Sequence, residues 1–364
     1  MSKEVAWSMA LTASVSTVLA VVAPAAHAGP IGNGSGSSNR ADSTRGNSNG
    51  SGSLEAAAAT RVKVSTPNGK ARGGNLDPID TDWTPPVCWY EPAMTPKEFK
   101  GNLKDLEKRG RGMALTAIHS YWDMRTVKRQ YGSDENAFGD GTESSKNYNL
   151  AKQGEGMWWR GVVNPNRQNE YDNVKRPCGK NVFWVDHGEV AAPESISPKV
   201  LAEYAYDSIK VPDTEIEMSP EGKSTVNLPT WMWLDGAKFK PVEVTASIGM
   251  GGGQELFAIT EAEPVSLHLD PGTEDAQVHP ASGECPIRNG KIGTPYTKGD
   301  SEKSPPCGIT YLRASSDSGP YELKASVTWK ISWKGSGGTG GDLPDGTFET
   351  TEDVTVQEAQ AVNR

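Results

Sequence analysis

The chain has 364 residues, a formal net charge of -9 at pH 7 and a mean hydropathy of -0.57. This acidic balance excludes nucleic acid as the main partner, because binding a phosphate backbone requires clustered lysine and arginine. It equally disfavours electrostatic attraction to an anionic membrane surface. The 40 glycines and 25 prolines predict many turns and little long helix.

Residues 1–28 have the layout of a secretory signal peptide. An almost charge-free apolar run, residues 6–22, precedes a small-x-small triplet that ends at Ala28. The run is too short to be a good membrane span. We therefore expect cleavage after Ala28, a mature form without a membrane span, and a secreted or extracellular location with possible association with the cell envelope. The sequence leaves one alternative open, in which the segment is retained as an N-terminal anchor.

Residues 29–75 are predicted to be a disordered linker rich in glycine, serine and asparagine. The stretch 32–53 consists almost entirely of these residues and charged ones, so it has too little apolar surface to bury. Such a segment is either a tether that reaches across a cell wall or a simple spacer.

Residues 76–212 are predicted to form a mixed α+β domain. One helix is expected to start at Pro96, because Thr95 can cap it and Glu98 completes a capping box. The apolar residues that share one face of this helix are Phe99, Leu103 and Leu106.

A second helix is predicted at residues 198–209, with Ser197 as its cap and Pro198 at its first position. Apolar or aromatic segments lie between the two helices and are separated by loops rich in glycine, asparagine and aspartate. These segments are residues 113–124, 156–163 and 181–185.

Residues 224–364 are predicted to form an immunoglobulin-like β-sandwich, because short β-prone runs alternate there with turn residues. The predicted strands are residues 225–234, 242–248, 255–259, 265–269, 308–313, 321–333 and 348–356. In 321–333 the apolar side chains alternate with polar ones, which is typical of a strand with one buried face. The last run is expected to return antiparallel to it. The glycine-rich stretch 249–253 is interpreted as a hairpin turn.

The four cysteines predict two disulfide bonds in an exported chain. The sequence permits three connectivities, of which we favour Cys88–Cys178 and Cys285–Cys307, since each closes a loop within one half of the chain. The absence of a CxxC pair disfavours a thioredoxin-type redox site and a zinc knuckle.

Four stretches of the chain resemble exported actinobacterial, Streptomyces-like proteins of unassigned function that carry a C-terminal immunoglobulin-like sandwich. They are Pro86-Val87-Cys88-Trp89-Tyr90-Glu91-Pro92, Asn227-Leu228-Pro229-Thr230-Trp231, Pro305-Pro306-Cys307-Gly308-Ile309-Thr310-Tyr311 and the terminal segment 357–364. The resemblance covers the chain from about residue 83 to its end. It implies export and the sandwich, and it carries no catalytic role to transfer.

The best catalytic candidates are Asp186, His187 and Glu189, which follow one another next to an aromatic strand. Paired carboxylates could perform acid–base chemistry on a glycosidic bond, and His187 could act as a base or metal ligand. On a strand, however, Asp186 and His187 point to opposite faces. The alternative is a strand that ends in a polar turn.

The sequence favours no cofactor. The run 249–253 lacks the strand–turn–helix context of a dinucleotide fingerprint, and no P-loop occurs, so we expect no nucleotide cofactor. Acidic turns at 77–82, 140–143 and 270–275 could hold calcium, but none matches an EF-hand. We interpret these turns as solvated and assign no metal.

The 11 tryptophans are the strongest indication of a binding surface. Exposed aromatic side chains stack on sugars and anchor protein partners. The candidates are Trp158, Trp159, Trp231 and Trp233. Because Trp231 and Trp233 are two residues apart on a strand, they should form one patch, and one of the adjacent Trp158 and Trp159 should reach the surface. Trp329 and Trp333 are expected in the core.

These features favour a secreted, non-enzymatic binding or interaction protein of the cell envelope, with no cofactor. Its partner would be a cell-wall glycan or a surface protein. Two alternatives stay open: an extracellular hydrolase, possibly directed at glycans, that uses Asp186, His187 and Glu189, and an accessory component of a secretion or surface-assembly apparatus.

Overall fold

The computed structural model describes residues 60–67, 73–112, 128–129, 131–132, 145–173, 178, 182–189, 192–213, 216–234, 239–288, 291–300, 303–316 and 319–359. The predicted signal peptide and most of the predicted linker therefore lie outside the described residues, as does most of the apolar segment at 113–124.

The described residues are rich in β-strands, as the sequence predicts. The strands are β1 (Lys63–Ser65), β2 (Asp77–Pro78), β3 (Cys88–Met94), β4 (Gly156–Val163), β5 (Phe183–Asp186), β6 (Glu217–Ser219), β7 (Lys223–Thr225), β8 (Pro229–Leu234), β9 (Val242–Gly251), β10 (Gln254–Asp270), β11 (Ala276–His279), β12 (Glu284–Arg288), β13 (Lys291–Gly293), β14 (Gly308–Tyr311), β15 (Tyr321–Gly335) and β16 (Thr339–Gln357). The helices are α1 (Pro96–Gly112), α2 (Gln168–Asn173) and α3 (Pro198–Tyr206).

Four long antiparallel strands form the centre of the larger sheet, in the order β9, β10, β15 and β16. β10 also pairs with β12, which leads through β13 and β8 to β14 and β11. In β15 the side chains alternate as the sequence predicts, and β16 returns antiparallel to it. Trp329 in this strand is fully buried, as expected, whereas Trp333 is only partly buried and packs against the core from outside it.

The sequence predicts two short strands at 255–259 and 265–269, whereas the structure has one continuous strand, β10, with a bulge. Pairing with β15 shifts register between Pro264 and Ser266, so Val265 is the extra residue. Proline is tolerated at a bulge, where a ladder hydrogen bond is already missing. The first part of β10 pairs with β9 and the part after the bulge pairs with β12.

A separate three-stranded sheet has the order β3, β4 and β5, all antiparallel. Helix α1 begins as predicted: the Thr95 amide donates to the Glu98 carboxylate over 2.8 Å, and the Glu98 amide donates to Thr95 Oγ1 over 3.3 Å. Phe99 and Leu103 on the predicted face are buried in a cluster of aromatic side chains around Trp158. The side chain of Leu106 lies outside the described set.

Helix α3 packs against the large sheet, and its predicted cap is present, since the Val200 amide donates to Ser197 Oγ over 3.2 Å. Buried Thr260 in β10 donates its hydroxyl to the Ala202 carbonyl over 3.0 Å. The helix ends three residues earlier than predicted, at Tyr206. Residues from 76–212 and from 224–364 share one hydrophobic core.

Both favoured disulfides are present. Cys88 is bonded to Cys178 and Cys285 to Cys307, with Cα–Cα distances of 6.1 and 5.5 Å. All four cysteines are buried. Among the residues described, no helix is long and apolar enough to span a membrane.

The predicted linker extends to residue 75, but residues 63–65 form β1, which pairs antiparallel with β9. Just before β1, the carboxylate of fully buried Glu91 accepts hydrogen bonds from Thr60 Oγ1 over 2.7 Å and from the Arg61 amide over 2.9 Å. The chain that precedes β1 is therefore fastened to the folded part at a defined point.

Candidate functional site

An open cleft of about 500 Å³ lies between the end of β5 and the β9–β10 hairpin. The turn after β5 forms one wall and the hairpin forms the other. The lining residues are Met157, Trp159, Val185, Asp186, His187, Gly188, Glu189, Met250, Gln254, Glu255 and Leu256. All three catalytic candidates from the sequence therefore line the same cleft, beside a tryptophan.

The β5 wall is fixed by pairing with β4. Asp186 pairs with Gly156, and the His187 amide donates to the Glu155 carbonyl over 2.8 Å. The chain then turns at Gly188, whose φ of +89° is readily adopted only by glycine, and the Glu189 amide donates to the Asp186 carbonyl over 3.2 Å. The backbone of this stretch is therefore a strand that ends in a polar turn, which is the alternative that the sequence left open.

The opposite wall is the predicted hairpin turn at 249–253. Gly251 pairs with Gln254, and the two residues between them, Gly252 and Gly253, have φ values of +60° and +80°. Two consecutive positive φ angles are the signature of the tight turn that matches strand twist. Close packing adds a second requirement for glycine, because a Cβ at Gly251 would lie 2.7 Å from Met157 Sδ.

The Asp186 carboxylate is engaged by two neighbours outside the cleft lining. Trp184 Nε1 donates to Asp186 Oδ1 over 2.8 Å, and Lys152 Nζ lies 3.7 Å from the same oxygen. Lys152 also lies 5.9 Å from the centroid of the Trp184 ring. His187 and Glu189 are both exposed. The Asp186 carboxylate is therefore held at the end of β5, whereas the side chains of His187 and Glu189 are open to solvent.

The cleft combines an apolar floor with an acidic rim. Met157, Trp159 and Val185 form the buried floor. Three carboxylates, those of Asp186, Glu189 and Glu255, belong to the lining, and among the described lining residues none is lysine or arginine.

The prediction that one of Trp158 and Trp159 reaches the surface is wrong, because both side chains are buried. The exposed fractions are 1% for Trp158 and 6% for Trp159, because both faces of β4 are covered. Trp158 lies in the aromatic cluster under α1, where its Nε1 donates to the Tyr148 carbonyl over 3.1 Å, whereas Trp159 belongs to the main core. Only Trp159 touches the cleft.

The predicted patch of Trp231 and Trp233 on β8 is also smaller than expected. Trp231 is 5% exposed, with the Tyr296 ring at a centroid distance of 5.9 Å, so it is wrong as a surface anchor. Trp233 is partly exposed, and its Nε1 donates to Glu217 over 2.6 Å. Its role in binding stays a prediction.

The acidic turns lead to no metal centre in the part of the chain that the structure describes, where no three His, Cys, Asp or Glu side chains are grouped to hold an ion. The Asp80 carboxylate accepts from the Asp82 amide over 3.1 Å and that of Asp270 from the Gly272 amide over 3.0 Å, so both close their own turns. The stretch 140–143 lies outside the described residues.

Sequence reasoning missed the hairpin residues of the cleft, chiefly Met250, Glu255 and Leu256. The glycine-rich turn identified the hairpin but carried no signal for the element that it faces, since that contact joins positions far apart in the chain. It also missed Glu91, whose only signal was one charged residue within an otherwise apolar or aromatic strand.

Comparison with known proteins returned no match: no family model fits this chain, and no curated protein or solved structure is significantly similar to it.

Proposed function

We propose that this chain is an exported, non-enzymatic binding protein that engages a cell-surface partner through the cleft between β5 and the β9–β10 hairpin. The observation that carries the proposal is the composition of the cleft, where a buried apolar floor is surrounded by exposed polar side chains. Binding sites typically combine such apolar lining with a few polar groups that fix orientation.

Two further observations support the proposal. Met157 and Met250 contribute flexible thioether side chains, which adapt to the shape of a partner. The Asp186 carboxylate is engaged by Trp184 and Lys152, which favours a structural role for it over proton transfer.

Export is part of the same proposal and is supported by the signal-like N-terminus and by two disulfides, which persist in oxidising compartments. We also propose an immunoglobulin-like sandwich for 224–364, as in the exported actinobacterial proteins that the chain resembles, and an α+β domain for 76–212. The long antiparallel strands β9, β10, β15 and β16 support the first assignment.

The test is retention of the purified mature protein on isolated cell envelopes and on their separated glycan and protein fractions. The proposal expects saturable retention on at least one fraction, competed by unlabelled protein. Retention on none of them, by protein whose disulfides are intact, would contradict it.

The specific observation that favours a hydrolase instead is the convergence of Asp186, His187 and Glu189 on one cleft beside Trp159. This alternative predicts release of soluble sugars from envelope glycan, abolished by Asp186→Asn and by His187→Ala. The binding proposal predicts that the unmodified protein releases no soluble sugar.

A further inference from the structure

We infer that the partner held by the cleft is a peptide segment that presents lysine or arginine side chains, contributed by another surface protein. The inference deepens the proposed function and rests on it, since it names the class of ligand for the same cleft.

The charges of the cleft favour a cationic ligand. The cleft carries the carboxylates of Asp186, Glu189 and Glu255, and the last two belong to exposed residues. The single cation found close to these groups in the described chain, Lys152, lies 3.7 Å from Asp186, which leaves the charges of Glu189 and Glu255 for a partner. With a net charge of -9 on the whole chain, the long-range field also attracts cations.

The apolar and charged groups of the cleft lie in the same order as those of a lysine or arginine side chain. Below the acidic rim, the floor consists of Met157, Val185 and Trp159, all buried, and Leu256 is partly buried in the hairpin wall. A lysine or arginine side chain has the matching order of groups, with an apolar stem that lies along the floor and a charged end that reaches the rim. A cleft of about 500 Å³ has room for more than one such side chain.

The low exposure of Trp159 favours a peptide over a sugar as the ligand. Sugar rings are typically held on the open face of an aromatic side chain. Trp159 is the aromatic residue of this cleft, and it is 6% exposed, so little of its ring face is presented. The flexible side chain of Met250, which is partly exposed, instead suits aliphatic groups of varied shape.

The experiment is calorimetric titration of the purified mature protein with the peptide acetyl-Lys-Val-Lys-Val-amide. The matched control ligand is acetyl-Glu-Val-Glu-Val-amide, and an N-acetylglucosamine oligomer represents the neutral glycans. We expect saturable binding of the lysine peptide that weakens as salt is raised, and no binding of the other two ligands.

The variant Glu255→Lys reverses one rim charge at an exposed position and should weaken lysine-peptide binding about tenfold. Its control is Glu322→Lys, at an exposed position at the far end of the paired strands β10 and β15, roughly 50 Å along the sheet at the usual rise per residue. This control should bind as the unmodified protein does. Unchanged denaturation midpoints would show that both variants fold.

Three results would overturn the inference: failure of the lysine peptide to saturate, equal binding of the glutamate peptide, or equal weakening by both variants. Saturable binding of the sugar oligomer alone, lost in Glu255→Lys, would also overturn it while leaving the cleft as the binding site. Failure of the proposed function itself would appear separately, as loss of retention on every envelope fraction.

Discussion

Replacing Glu91 by glutamine tests how the N-terminal end of the described chain is fastened to the fold. The Glu91 carboxylate is fully buried and accepts hydrogen bonds from Thr60 Oγ1, the Arg61 amide and Trp89 Nε1 over 2.7, 2.9 and 3.0 Å. It also lies 3.6 Å from the Arg160 guanidinium, whose side chain is 18% exposed. Glutamine keeps the size of this side chain but removes its charge and one of its two acceptor oxygens.

The expected loss of stability follows from this geometry. Removing one partner of a buried ion pair costs about 3–5 kcal/mol, because the other charge stays desolvated. Burial lowers the pKa of Arg160 and Glu91 opposes that shift, which agrees with a guanidinium that depends on this carboxylate. Glutamine can still accept through one oxygen, so we expect about 3 kcal/mol, the lower end of the range. The control Glu322→Gln changes an exposed carboxylate and should stay within about 0.5 kcal/mol.

Two assays measure this effect. Urea denaturation should give a lower midpoint with an unchanged slope for Glu91→Gln. In the variant, the glutamine side chain can point its single oxygen to either Thr60 or Arg61, so the Arg61 backbone amide loses its acceptor part of the time. The segment before β1 should then open more often, and trypsin should cleave after Arg61 faster than in the unmodified protein. A variant as stable as the control, with cleavage after Arg61 unchanged, would refute the idea that Glu91 fastens this segment.

Four further predictions concern the core, the hairpin, the disulfides and pH. Trp158→Ala should cost about 3–5 kcal/mol in urea denaturation, since Trp158 is a core side chain; a loss below 1 kcal/mol would contradict its burial. Gly252→Val should cost about 1–2 kcal/mol because the residue has a φ of +60°, whereas Gly252→Asn should be nearly neutral; equal costs would contradict the turn geometry. Loss of the Cys285–Cys307 bond, which closes a 22-residue separation, should cost about 3.5 kcal/mol in a Ser/Ser variant, and wild-type stability in that variant would be inconsistent with the bond. Burial raises the pKa of Tyr131 from 10.0 to about 12, so its contribution to stability is complete below pH 10 and is lost as the pH rises through 12. The difference between absorbance titrations of the unmodified protein and of Tyr131→Phe measures the ionisation of this side chain. A difference that titrates as an ordinary tyrosine would contradict the raised pKa.

Local sequence patterns predicted the elements whose signals lie within a few residues. The capping box at Thr95 and Glu98, the alternation in β15 and the glycine turn of the β9–β10 hairpin all have short-range physical causes, and each is present. The short strand β1 had such a signal as well, because the charged residues Arg61 and Lys63 alternate with Val62 and Val64. It was missed because the surrounding composition is typical of a linker.

Features that depend on long-range contacts could not be predicted in the same way. The burial of both Trp158 and Trp159 requires a layer on each face of β4, and the sequence of β4 does not say what covers it. The single strand β10 depends on its partner β15, which continues past the bulge at Val265.

The residues of the candidate site also divide into those predicted from local spacing and those that depend on long-range contacts. Asp186, His187 and Glu189 were identified from their spacing, but the cleft exists because the β9–β10 hairpin, more than 60 residues later, packs against that turn. A Cβ atom at Gly251 would lie 3.0 Å from His187 Cε1, so the close approach of the hairpin to the turn after β5 depends on the absence of a side chain at residue 251. Local chemistry therefore pointed to half of the site.

The most direct measurement of the central claim is site-specific photo-crosslinking on native cell envelopes. A photoreactive amino acid replaces Gln254 at the cleft or, in the control, Glu322 near the far end of β15. We expect that position 254 forms a covalent adduct with an envelope component, that excess unlabelled protein suppresses it, and that position 322 forms none. Adducts of equal yield at both positions, or an adduct at 322 alone, would contradict binding through the cleft.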